Sequence, residues 1–158
     1  MAVSARILRG PVLTLAAMLV GCTTAPAAND RAFTSCPAYA PAYKVTNDFM
    51  RTFNSKDAEA WGSTFHFPSV RIASGTVRII EKPADLEQSF DRLEATGWDH
   101  SAWAKRQVVQ CGDTKAHMLT TFVRYRADGS ALSQFDSLYI VEFKDGRWAL
   151  TARSSFAP

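Results

Sequence analysis

Two tight turns constrain this chain more than any other feature. Asp128-Gly129 and Asp145-Gly146 are dipeptides that readily supply the positive φ angles of a two-residue β-hairpin, and Gly112-Asp113 is a weaker signal of the same kind. The turns predict strands over about 103–111, 114–127, 130–144 and 147–156, stretches rich in β-branched and aromatic residues. Long strands joined this way pair as an antiparallel meander.

Upstream, the apolar period changes. Val45, Phe49 and Phe53 recur every four residues, which predicts a helix from about Pro41 to Asn54. Ser55-Lys56-Asp57 interrupts it, and Ala58, Trp61 and Phe65 mark a short second helix ended by Pro68. Residues 70–73 and 76–80 read as two short strands around Ser74-Gly75. Pro83 suits the first turn of a third helix, whose stripe is Leu86, Phe90 and Leu93 and whose stop is Gly97. Helices followed by a meander imply an α+β fold, with the helices on one face of the sheet.

The N-terminus carries an address. Arg6 and Arg9 precede an apolar run from Val12 to Val20, and Leu19-Val20-Gly21-Cys22 follows. A charged start, a short apolar core and small residues describe a secretory signal. The run is shorter than the roughly 20 residues that a spanning helix needs. Leu-Val-Gly-Cys resembles the bacterial lipobox, which implies cleavage after residue 21 and lipid on Cys22. Several acyl chains on one cysteine meet the requirement of stable anchoring for more than one chain. Thr23, not Asp, follows the cysteine. Resemblance to other lipoproteins then places the chain in the cell envelope, at the outer membrane facing the periplasm where a cell has two membranes. Residues 22–41, rich in Thr, Ala and Pro, read as a flexible tether, and 42–158 as one domain.

Two charges of the formal +3 belong to the leader, so the remaining domain is nearly neutral and has no basic block. That argues against nucleic acid as a partner. Cys36 and Cys111 form an even pair in an oxidising compartment and are expected to bridge, the alternative being two buried thiols. Two cysteines and three scattered histidines show no metal-ligand spacing, so no metal or cofactor is expected. Phosphate-loop, serine-hydrolase-elbow and metalloprotease motifs are absent from the sequence.

Phe53-Asn54-Ser55-Lys56-Asp57 leading into Trp61 and Phe65, Arg124-Tyr125-Arg126-Ala127-Asp128-Gly129, and Asp136-Ser137-Leu138-Tyr139 running on to Asp145-Gly146-Arg147-Trp148 resemble the nuclear-transport-factor-2-like superfamily. The resemblance covers about residues 42–156 and rests mainly on the order of elements. It implies a cone of three helices over a strongly curved, antiparallel, mixed-edge sheet. The superfamily includes ketosteroid isomerase, polyketide cyclases and dehydratases as well as non-catalytic binding domains, so the fold leaves activity open. Compared with ketosteroid isomerase, Phe49 stands where a tyrosine is needed, and the general-base position falls near Ala73 or Ser74. Only Asp136 matches, at the late-strand acid. Alanine is no base, and serine has no suitable pKa without a partner, so chemistry of that type is not expected.

Counting from the Asp128-Gly129 turn without a bulge places Thr121 opposite Asp136 and Leu119 opposite Leu138. Arg153 then lies opposite Leu138, on the same face as Asp136. This pair reads either as a polar pocket floor or as a structural ion pair. His66 is a candidate base near the mouth of the cone, or a histidine bonded to backbone. His100, beside Asp99, and His117 read as loop and strand residues. Phe49, Phe53, Trp61, Phe65, His66, Trp98, Asp136 and Arg153 are the candidate pocket residues, with Trp103 a further aromatic. Three functions follow: an envelope domain binding a small apolar ligand or a protein partner without catalysis; an acid–base enzyme of isomerase, dehydratase or cyclase type using Asp136 and His66; or a structural envelope protein. Both sheet faces carry apolar residues, so a second copy of the chain is expected to cover the outer one.

Overall fold

A computed structural model describes residues 30–158, so the leader and Cys22 lie outside the described residues. Of the two strong turn signals, Asp145-Gly146 forms the expected two-residue turn, whereas at Asp128-Gly129 only Gly129 has positive φ and residues 126–130 form a longer loop between the strands. Asp145 and Gly146 both have positive φ, 52° and 75°, the requirement of a two-residue hairpin turn whose twist matches its strands. Around these turns run β3 (His100–Cys111), β4 (Lys115–Tyr125), β5 (Ala131–Lys144) and β6 (Arg147–Ser155). Ahead of them lie α1 (Tyr39–Asn54), α2 (Ala58–Gly62), β1 (Phe65–Ala73), β2 (Thr76–Ile80), a 3-10 turn (Pro83–Leu86) and α3 (Glu87–Glu94).

The six strands form one sheet in the order β2-β1-β6-β5-β4-β3. All neighbours are antiparallel except β1 and β6, which makes the sheet mixed. This is the α+β cone that the element order predicts. The stripe of α1 is buried as the four-residue spacing requires: Val45, Phe49 and Phe53 are each less than a tenth exposed. Phe49 touches the rings of Phe53, Trp61, Phe65, Trp103 and Tyr139, so α1 supplies the centre of an aromatic core.

Polar side chains fix how α1 and α2 sit. The Asn54 amide donates to Ser101 O at 2.8 Å and accepts from Ser101 N at 2.9 Å, imitating a strand neighbour at the end of β3. Asp57 caps α2 by accepting from Ala60 N at 3.0 Å. Gly62 ends α2 where a Cβ would lie 2.7 Å from Pro83 Cβ, so only glycine lets the 3-10 turn close against it.

One expectation needs correction, that of Pro68, and one boundary gains detail. Residues ahead of 42 pack on the domain: Asp30–Phe33 forms a 3-10 turn, Ala38 is fully buried, and Cys36 bonds to Cys111 on β3. The expected disulfide is thus present, and it fastens part of the expected tether to the sheet. Pro68 does not end a helical stretch. It lies within β1, where the pairing with β6 is interrupted between Phe65 and Val70 and no ladder hydrogen bond is demanded of it.

Candidate functional site

Sheet faces decide which side chains meet. Thr121 pairs with Asp136 and Leu119 with Leu138, as the count from the turn predicts. Arg153, however, pairs with Tyr139 rather than Leu138. The register slips at Ile140/Val141, where Ala152 faces Ile140 and Leu150 faces Val141, leaving Thr151 as one extra residue in β6. A single inserted residue turns every side chain beyond it to the opposite face. Arg153 therefore shares the inner face with Tyr139, and Asp136 does not.

The inner face and the helices enclose a cavity of about 440 Å³, within the ordinary range for small-molecule sites. Phe49, Met50, Phe53, Trp61, Leu86 and Phe122 form its apolar wall. Arg71, Arg78, Arg92, Arg124 and Arg153 line the same cavity and make it cationic. No Asp, Glu or His among the described residues does. None of these arginines forms a salt bridge among the described residues.

The register explains this concentration. Arg78 on β2 is directly opposite Arg71 on β1, and Arg71 is directly opposite Arg153 on β6. Like charges at directly opposed positions destabilise a sheet. Burial, and then the charges of Arg153, Arg78, Arg124 and Arg92, pull the pKa of Arg71 down from the usual guanidinium range to about 10. Arg124 is lowered by burial first and by Arg153 second, with Tyr139 opposing. Both remain cationic at neutral pH.

Some of these charges have local oxygen partners. Arg71 Nη2 donates to the backbone oxygens of Ala157 and Pro158 at 3.3 and 2.9 Å. Arg78 Nη2 donates to Asp85 O at 3.2 Å, and Arg153 Nη1 to the Tyr139 hydroxyl at 3.2 Å. Arg124 is different. It is 9% exposed, its guanidinium stacks over Phe135 and Phe122 at 5.0 and 5.9 Å, and its Nε has no hydrogen-bond partner. Trp61 Nε1 is likewise buried without a partner. Unmet buried donors are rare in folded proteins. Both belong to residues of the cavity wall, but each atom is itself sealed from solvent and is not offered to a molecule in the cavity; what the cavity presents is positive charge beside aromatic surface.

Of the expected pocket residues, Phe49, Phe53, Trp61 and Arg153 line this cavity. Phe65 and Trp98 lie behind it in the core; Phe65 packs on Phe49 and Trp61, and Trp98 Nε1 donates to Ser101 Oγ at 2.9 Å. Asp136 is exposed on the outer face, accepting from Thr121 Oγ1 at 2.6 Å. His66 is buried in β1, with Nε2 3.2 Å from Glu142 O. Neither lines the cavity, which corrects their expected place there as a working pair. His100 contacts the Asp99 carboxylate through Nδ1 at 2.8 Å and stacks on Tyr125, also away from the cavity.

Arg71, Arg78, Arg92, Arg124 and Tyr139 are among the cavity residues that the sequence did not place in the pocket. Their signal is an inverted alternation. In Val70-Arg71-Ile72 and Val77-Arg78-Ile79 the arginines face inward, while Ile72, Val77 and Ile79 stand about half or more exposed on the outer face. Among the described residues no group of three or more His, Cys, Asp or Glu is placed to hold a metal, and no helix is long and apolar enough to cross a membrane.

Comparison with known proteins agrees with the fold. A cystatin-like protein of unknown function from Nostoc punctiforme superposes with a TM-score of 0.61 at 15% identity, covering 74% of this chain and 88% of that one. An NTF2-like protein of unknown function from Shewanella oneidensis gives 0.58 at 12% identity, covering 74% and 97%. An NTF2-like protein with a cystatin-like fold from Novosphingobium aromaticivorans gives 0.58 at 15%, covering 72% and 77%. No curated protein matches. Residues 42–156 match the family described as NTF2-like protein (DUF6841), and the chain belongs to that family.

Proposed function

We propose that the cavity binds a small molecule with an apolar body and an anionic head, without acid–base catalysis. The observation that carries this reading is a cavity lined by five arginines and, among the described residues, by no Asp, Glu or His. Guanidinium groups suit bidentate recognition of carboxylates and phosphates. The aromatic wall supplies the apolar area that small-molecule sites generally offer. Proton abstraction calls for a group whose pKa lies near the working pH, and arginine is not such a group. An expected purely apolar ligand is thereby narrowed to one that carries charge. With the expected lipid on Cys22, the domain would hold this ligand at the membrane of the cell envelope.

The test is calorimetric titration of the purified full-length chain with 2-naphthoate, 2-naphthol and a quaternary naphthylammonium. The same ring is offered with a negative, neutral or positive substituent. Naphthoate is expected to bind at least tenfold tighter than naphthol, a difference of about 1.4 kcal/mol, and the cation not at all. Equal binding of all three would refute the reading.

A further inference from the structure

We infer that the head group is a doubly charged phosphate or phosphonate monoester rather than a carboxylate. The inference rests on the anion-binding reading above and specifies its ligand.

Charge is the first ground. Arg78, Arg71 and Arg153 stand in one row on adjacent strands, and buried Arg124 adds a further cation to the same cavity. A hydrogen bond to a backbone oxygen does not remove the charge of Arg71 or Arg78, and Arg124 and Arg153 likewise keep full charges with no side-chain carboxylate partner among the described residues. A carboxylate balances one of these. A phosphate monoester carries about −1.5 to −2 at neutral pH and balances about two.

Donor count is the second ground. Each guanidinium has five N–H donors, and Arg153 commits Nη1 to the Tyr139 hydroxyl. A carboxylate offers about four lone-pair sites on two oxygens, all in one plane. A phosphate offers three strong acceptor oxygens arranged around a tetrahedron. Arg124 approaches from β4 and Arg153 from β6, with β5 between them, so the donors come from separated directions. A tetrahedral acceptor meets such an arrangement better than a planar one.

The experiment compares 2-naphthyl phosphate, 2-naphthyl sulfate, 2-naphthoate and 2-naphthol by calorimetry on the full-length chain. At pH 7.5 the phosphate is expected to bind at least tenfold tighter than the sulfate, which has the shape but one charge, and than the carboxylate. At pH 5, below the second phosphate pKa of about 6, that advantage should shrink about tenfold, while sulfate binding stays constant. Arg153→Lys keeps the charge but loses the fork, and should weaken the phosphate at least tenfold while leaving naphthol unchanged. Arg124→Met should do the same, each variant being checked for a cooperative thermal transition. Sulfate or carboxylate binding as tightly as phosphate would overturn the dianion while leaving the anion-binding reading intact. Naphthol binding as tightly as naphthoate, or no binding by any probe, would overturn both.

Discussion

Arg124→Met should make the ligand-free protein more stable and the ligand-bound protein less so. The arginine is 9% exposed, has an unmet Nε donor, and shares its cavity with other guanidiniums. A buried unsatisfied donor costs about 1–3 kcal/mol. Replacing buried charge with apolar volume often stabilises by about 1–4 kcal/mol. These figures overlap, and about 2 kcal/mol is a fair joint value. Against it stands the loss of the contacts to Phe135 and Phe122 at 5.0 and 5.9 Å, together about 1 kcal/mol. The net gain is about 1 kcal/mol, or roughly 3 °C in Tm for a domain of this size. A ligand present at a hundred times its Kd stabilises the wild type by about 2.7 kcal/mol, so the order of the two melting temperatures should reverse when 2-naphthyl phosphate is added. Thermal unfolding followed by circular dichroism reads both orders. A variant that is more than about 1 kcal/mol less stable than wild type without ligand would refute the reasoning, because Arg124 would then be a structural prop rather than a group awaiting an acceptor.

Reducing the Cys36–Cys111 bond, or replacing both cysteines with serine, releases a cross-link that spans 75 positions and should cost about 4 kcal/mol, seen as a lower Tm. An unchanged Tm would show that the bond adds no stability. Cys22→Ala should move the protein from the membrane fraction to the aqueous fraction of its host, and retention in membranes would contradict the lipid anchor. The outer face exposes Ile72, Val77, Ile79 and Leu119. We propose that a second copy covers it, so wild type should sediment as a dimer at micromolar concentration and Ile72→Glu/Val77→Glu as a monomer. A monomeric wild type would exclude this partner.

The fold was legible because its signals are local. Asp128-Gly129 and Asp145-Gly146 need no distant partner to make a turn, and Val45, Phe49 and Phe53 declare a helix face within three turns. The site was less legible because it depends on register. Thr151 is one extra residue in β6, with nothing in its sequence neighbourhood to mark it, yet it moves Arg153 from the side of Asp136 to the side of Tyr139. Pairing of β1 with β6 joins residues as far apart in sequence as Arg71 and Arg153, so the row of Arg78, Arg71 and Arg153 appears only when β1 lies parallel to β6. Asp136 and His66 attract notice as titratable residues, but their faces, not their chemistry, exclude them from the cavity. The arginines of β1 and β2 were visible as charges set between β-branched residues, and the unusual part is that the charged side faces in.

The most direct test of an anion-binding cavity is a crystal structure of the full-length chain grown with 2-naphthyl phosphate. The expected result is a phosphate within hydrogen-bond distance of Arg124 and Arg153, with the naphthalene ring against Phe49, Phe53 and Trp61. A ligand bound on the outer face, or seated in the cavity with its phosphate turned away from both arginines, would contradict the proposed function.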